Sequence, residues 1–193
     1  MIKSAYERAM ERANQIAIDP QLSSLKAGQE LAGLLYKEGL AHFVKQWHTI
    51  DQQDRATYLA GLLKSLLSNI VLPQRPEQQS RITLTLDALQ AVDPTLEPTL
   101  HALSQLLTSY TPQYQEFSQQ LSQQLQQHLD QKERAHYART GERRAFTLQS
   151  DPEVATLYAD EMKKFQLHFS EHLTQHKWRI LQQLDLDPEQ FSF

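Results

Sequence analysis

The sequence has no cysteine and only five glycines among its 193 residues. Without thiols the chain has no disulfide, no thiolate nucleophile and no Cys-ligated zinc site. It also lacks a glycine-rich phosphate loop and the strand-turn-helix motif that carries a nucleophilic serine. These absences remove the commonest catalytic signatures, and we expect a protein that is not an enzyme.

Long hydrophobic runs and an excess of positive charge are missing as well. The formal net charge is −4, and hydrophobic residues make up 40% of the chain. An acidic balance argues against a protein that coats nucleic acid. No segment has the apolar length of a membrane span or a signal peptide. We therefore expect a cytoplasmic protein with no membrane association and no cofactor.

Helical periodicity extends along nearly the whole chain. The segment over 22–47 has three glycines, which either break the helix near Gly39 or let a neighbouring backbone approach; close packing is the favoured interpretation. Over 80–92 an alternation at Ile82–Leu86 would also suit a strand, but a lone strand has no partner, so a helix is predicted. The periodicity predicts helices over 2–18, 22–47, 49–73 and 80–92, and another from 93–98 to about Tyr110.

The last third of the chain has a different pattern. Two long helices are predicted, from Pro112 to about Ala138 and from Pro152 to about Leu186, with a loop near Gly141. Each has a narrow apolar seam, and glutamines flank the first, as in "QQLSQQLQQHLDQ". Narrow seams of this kind are typical of an antiparallel helical hairpin or a coiled-coil-like arm.

Together these patterns predict an all-α fold with a helical bundle and a long C-terminal antiparallel hairpin. We expect the bundle over 1–111 and the hairpin over 112–193, although a hairpin packed on the bundle as a single domain fits equally well. Apolar surface along a two-helix arm must be covered, and a second copy of the chain is the simplest cover. A homodimer is therefore expected.

The most chemically suggestive stretch is "HFSEHLTQH", which places His168, His172 and His176 at four-residue intervals on one side of a helix. Two neutral imidazoles at this spacing can bind a transition metal, but a complete site needs further ligands. The favoured interpretation is a row of histidines that runs from the helix surface into a helix–helix contact. A contact that loosens in acid and a metal site remain as alternatives.

A second candidate site is "DQKERAHYARTGERRAF", residues 130–146, at the expected hairpin loop. Its five cations against three acids give a local charge of +2 in an acidic chain. Such a loop can bind an anionic partner, nucleic acid or an acidic protein surface, although cations are also usual at solvated helix ends. The candidate residues are Lys132, Arg134, Arg139, Arg143 and Arg144.

The opening segment "IKSAYERAMERA" (2–13) resembles the start of a family of uncharacterised bacterial proteins. In that family a Lys-Ser-Ala-x-Glu-x-Ala-x-Glu-[Lys/Arg] pattern begins a mostly helical chain. The matching residues are Lys3, Ser4, Ala5, Glu7, Ala9, Glu11 and Arg12. The resemblance implies a bacterial origin and an all-helical fold, and it implies no activity.

The function expected from the sequence is that of a helical interaction or scaffold protein that self-associates. The alternative is a binder of an anionic partner through the basic loop 132–144.

Overall fold

A computed structural model describes residues 20–191 of the chain. Within this range it has six α-helices, two single-turn 3-10 helices and no strand, which confirms the all-α class. The helices are α1 (Pro20–Glu38), α2 (Leu40–Thr49), α3 (Gln52–Ser68), α4 (Pro76–Val92), α5 (Glu97–Thr140) and α6 (Pro152–Gln183), with 3-10 turns at Pro94–Leu96 and Pro188–Gln190. The helix predicted over 2–18 lies outside the described residues.

Glycines shape the first half of the bundle, as the sequence predicts, but each acts differently. Gly39 has φ 90° and separates α1 from α2. Gly28 of α1 and Gly61 of α3 lie where the two helices cross, and a Cβ on either would overlap the other helix's backbone. A Cβ on Gly33 would have open space around it. Close packing is therefore confirmed for Gly28 alone among the three glycines of this segment.

The segment that could have formed a strand is helix α4. Its buried residues follow helical spacing, because Ile82, Thr85, Leu86 and Leu89 all face the core. The hydroxyl of Thr85 bonds to the Arg81 carbonyl at 2.8 Å and to the Tyr36 hydroxyl at 2.8 Å. These bonds allow a polar side chain to be fully buried in the bundle.

Two predicted helices are joined in the structure. The expected end near Tyr110 and new start at Pro112 are wrong, because α5 runs without a break over 44 residues and contains Pro112 in its interior. Pro112 is exposed, while Tyr110 and Tyr114 on either side of it pack against α6. Packing on both sides of the proline holds the helix together despite the lost backbone hydrogen bond. The expected domain boundary at 111/112 therefore falls inside a helix.

The long C-terminal hairpin is confirmed, and its two helices take part in two clusters of buried residues. The larger cluster joins α1–α4 with the first turns of α5 and the last turns of α6. The smaller cluster lies along the outer part of α5 and α6, which we call the arm (residues 114–169). Its buried residues are Leu121, Leu125, Leu129, Val154 and Met162.

The turn of the hairpin has well-defined ends. Gly141, in the left-handed conformation with φ 73°, ends α5, and its N–H donates to the Tyr137 carbonyl at 2.8 Å. Asp151 caps the start of α6, and its carboxylate accepts a hydrogen bond from the backbone N–H of Val154. Across residues 20–191, every helix falls short of the apolar length that crossing a bilayer requires.

Candidate partner-binding site at the hairpin tip

The arm closes on itself through its apolar seams. Leu121, Leu125 and Leu129 of α5 are buried against Val154 and Met162 of α6. Within one chain each helix therefore covers the seam of the other. The homodimer stays a prediction, and in this arrangement its interface has to lie on other surface.

Aromatic rings fill the base of the arm, where it joins the bundle. Phe117 and Phe165 stack with ring centroids 4.9 Å apart, and Tyr110 meets Phe169 edge-on at 5.1 Å. Burial raises the pKa of the Tyr110 phenol. Nearby, Ser118 and Tyr158 share a hydrogen bond of 2.8 Å between the two helices. Packing of this kind fixes the direction in which the arm leaves the bundle.

At the other end of the arm, a three-residue ion pair fastens α5 to the start of α6. The Nζ of Lys132 lies 2.7 Å from a carboxylate oxygen of Glu153 and 3.0 Å from one of Asp151. Hydrogen bonds to Glu153 and Asp151 raise the pKa of Lys132, and the bond from Lys132 lowers the pKa of Asp151. Lys132, a candidate contact for a partner, is thus occupied in closing the hairpin.

The remaining cations of the basic loop are exposed at the end of the hairpin, which we call the tip (residues 133–146). The guanidinium carbon of Arg143 lies 5.9 Å from the ring centroid of Tyr137, and that of Arg144 lies 5.3 Å from the ring of Phe146. Phe146 in turn meets the imidazole of His136 edge-on at 5.9 Å. Guanidinium groups held against rings keep their N–H edges available for a planar anion.

A groove beside these rings brings two of the candidates together. It has a volume of about 340 Å³ and is lined by Asp130, Glu133, Arg134, Tyr137 and Arg143. Arg139 lies in the last turn of α5, and Arg139 and Arg144 are absent from the groove's lining. The tip therefore has a groove of mixed charge with arginines around it.

The histidine row divides into two parts. His168 and His172 are exposed on α6, with ring centroids 4.6 Å apart. His176 is half-buried, its Nδ1 has no hydrogen-bond partner among the described residues, and burial lowers its pKa. The prediction that the row runs inward holds for His176 and not for His172. Within residues 20–191, no three His, Asp or Glu side chains are grouped closely enough to hold a metal ion.

Lys177 was not predicted from the sequence: it is a lysine only 5% exposed, on the inner side of α6. Burial lowers the pKa of its ammonium to about 8. The signal was available, since position 177 falls between Leu173 and Leu181 on the apolar side of the helix. Because lysine is rarely buried, a lysine on the apolar side of a predicted helix indicates an unusual environment for its ammonium group.

Exposed apolar side chains on the outer side of α6 were also missed. Leu157, Leu167 and Trp178 are 47%, 57% and 47% exposed. At 100° per residue they lie within an arc of about 80°, opposite the buried residues of the helix. They are spread along the helix, with about three turns between neighbours.

The chain matches a known protein family. The model of a family described as a family of unknown function, DUF6657, matches residues 44–182 of this chain. No curated protein and no solved structure matches it. The opening pattern at 2–13 lies outside both the matched and the described residues.

Proposed function

Because the chain belongs to DUF6657, a family of unknown function, we propose its function from the site alone: a non-enzymatic interaction protein whose arm presents an arginine tip to an anionic partner. The observation that carries this proposal is that the cations of the basic loop have different roles. Lys132 closes the hairpin with Asp151 and Glu153, while Arg143 and Arg144 remain exposed against aromatic rings.

Charge supports the choice of partner. Residues 133–146 carry four arginines and two glutamates, a local charge of +2 on a chain of −4. A basic end on an acidic body orients an anionic partner toward that end and away from the rest of the molecule. Four arginines and no free lysine at the tip favour planar, bidentate anions such as carboxylates and phosphates.

The proposal is tested by the retention of the purified protein on immobilised heparin, a polyanion that stands for the partner's charge. Replacing Arg139, Arg143 and Arg144 together with alanine should lower the salt concentration at which the protein elutes, since fewer counterions are exchanged. Helix content by circular dichroism should stay unchanged, because all three side chains are exposed.

The control is a second triple variant with the same change in net charge. Lys26, Lys37 and Lys45 are exposed on α1 and α2, and replacing them with alanine removes three cations far along the chain from the tip. Elution of this variant at the wild-type salt concentration would locate binding at the tip. Equal shifts for both variants would mean that net charge alone decides retention, and the proposal would fail.

Self-association is the second candidate function, and the outer side of α6 favours it. Leu157, Leu167 and Trp178 expose about half of their surface there, and isologous contact between two such helices would cover them. We propose that such a protein would act as a homodimeric scaffold, with coiled-coil-like contacts between the α6 helices of two copies.

Light scattering tests self-association. A dimeric mass that is insensitive to salt and becomes monomeric in the Leu167→Ser, Trp178→Ser double variant would establish self-association through this surface. A monomer at micromolar concentration would remove it. A location in the cytoplasm belongs to both proposals and rests on composition.

A further inference from the structure

His168 and His172 are a pair of metal-ligating side chains that the proposed functions do not use. The two residues are four apart on α6, so their side chains project from successive turns of the same side of the helix. Both side chains are exposed to solvent. An incoming ion can therefore reach both rings without any movement of the helices.

The separation of the rings suits a chelate. Two imidazoles that share one ion through Zn–N bonds of about 2.0–2.1 Å, at an angle near or somewhat above a right angle, have ring centroids roughly 4.5–5 Å apart. The centroids of His168 and His172 lie 4.6 Å apart, with the ring planes at 83°. This separation lies within the range for a chelate, so the two rings need little change in spacing to share one ion.

The ring of His168 is further held by its neighbour. It meets the ring of Phe169 edge-on at 6.0 Å, and Phe169 is only 6% exposed. A histidine positioned by a buried aromatic residue samples fewer orientations than one on an open helix surface. Rigid support of this kind favours a preorganised ligand pair.

From this geometry we propose that His168 and His172 form a solvent-facing two-histidine site for a divalent transition metal, Zn²⁺, Cu²⁺ or Ni²⁺. Imidazole nitrogen is a suitable ligand for all three ions, and Cu²⁺ should bind most tightly by the usual order of affinities. The pair supplies two ligands, so water or a group from another molecule fills the other positions of the ion. A site with open positions is suited to joining the chain to another ligand-bearing molecule rather than to stabilising its own fold.

The proposal is tested by isothermal titration of the purified, untagged protein with ZnCl₂ and, separately, with CuCl₂ in a non-coordinating buffer near neutral pH. Wild-type protein should bind the ion, and His168→Gln and His172→Gln should each weaken binding by about tenfold or more, since loss of a ligand costs at least as much as loss of its supporting contacts. Both substitutions are on the surface and leave α6 intact.

The matched control is His128→Gln, which removes an exposed histidine from α5 and leaves the pair in place. This variant should bind with the wild-type affinity. Wild-type affinity in His172→Gln, or equal losses in all three variants, would overturn the proposal, as would the absence of any binding by the wild type up to millimolar ion. A histidine NMR spectrum in which Cu²⁺ broadens the imidazole signals of residues 168 and 172 before those of residue 128 would support the site independently.

Discussion

At the scale of single residues, the contact between α1 and α3 depends on two glycines. A Cβ on Gly28 would overlap the carbonyl oxygen of Tyr58, and one on Gly61 would overlap that of Leu25. Backbone cannot move aside as a flexible side chain can. The two glycines therefore set how closely these helices approach.

We expect Gly28→Ala and Gly61→Ala each to lower the free energy of unfolding by about 1–3 kcal/mol or more, because the helices must move apart. Gly33→Ala is the control: it has open space around it and should raise the same free energy by about 0.5–1 kcal/mol through helix propensity. Urea unfolding of the three variants measures both effects. Similar values for Gly28→Ala and Gly33→Ala would contradict the close approach.

Lys177 gives a second prediction at this scale. Lys177→Met should flatten the pH dependence of the free energy of unfolding above neutral pH, because methionine has no titratable group. The folded pKa of about 8 lies below the ordinary value of 10.5. The unfolded state therefore binds more protons between these values, and wild-type stability should rise with pH across that window.

The pH dependence provides the check on that prediction. Unfolding free energies measured at neutral pH and at several points above pH 8 should rise more steeply for the wild type than for Lys177→Met. Parallel pH profiles for the two proteins would show that Lys177 does not release its proton early in the folded state.

At the scale of helices, Pro112 decides between one long helix and two. An interior proline costs a helix about 3 kcal/mol relative to alanine, whereas a proline in the first turn costs little. Since Pro112 is exposed within α5, Pro112→Ala should raise the free energy of unfolding by up to about 3 kcal/mol. A neutral or destabilising effect in thermal or urea unfolding would instead place a helix start at 112.

The ion pair at the end of the arm gives the second prediction for an element. Lys132→Met keeps the aliphatic stem but removes the cation from Asp151 and Glu153. Amides of the loop 141–151 should then exchange their hydrogens faster, because the start of α6 is less firmly held. Lys164→Met is the control, since Lys164 pairs with Glu161 within α6. The control should leave loop exchange unchanged, and equal acceleration in both variants would refute the role of Lys132.

The local structure of these helices was largely predictable from the sequence, because hydrophobic periodicity and helix-breaking residues act over short distances along the chain. The helix over 80–92 and the hairpin turn near Gly141 follow from such signals, whereas the break at Gly39 was the less favoured of two interpretations. Pro112 misled the prediction, since its local preference for a helix start is overridden by the packing of Tyr110 and Tyr114 against α6. Sequence patterns within one helix do not show contacts of this kind with another helix.

The candidate site was less predictable for the same reason. The basic loop and the spacing of His168 and His172 are visible in the sequence, but the acids that occupy Lys132 come from the other side of the turn, 19 and 21 residues along the chain. The exposure of His172 likewise depends on how α6 rotates against α5. A rotation of a few tens of degrees moves a histidine from a buried face to the surface, and periodicity alone does not fix it.

At the scale of the whole molecule, everything proposed for the tip depends on the arm being closed within one chain. If α5 and α6 cover each other, the apolar seams are buried within one chain. The tip arginines are then the part of the arm that is exposed to a partner. If instead each seam is covered by a second copy, the seams themselves are the interface. The two arrangements differ in how protection of the arm depends on protein concentration.

The most direct test is amide hydrogen exchange of the wild-type protein at two concentrations, one well below and one well above the micromolar range. Closure within the chain predicts that the amides of 114–129 and 154–169 exchange equally slowly at both concentrations. Faster exchange of these segments on dilution, with the bundle unaffected, would show that a second copy covers the seams and would contradict the closed arm.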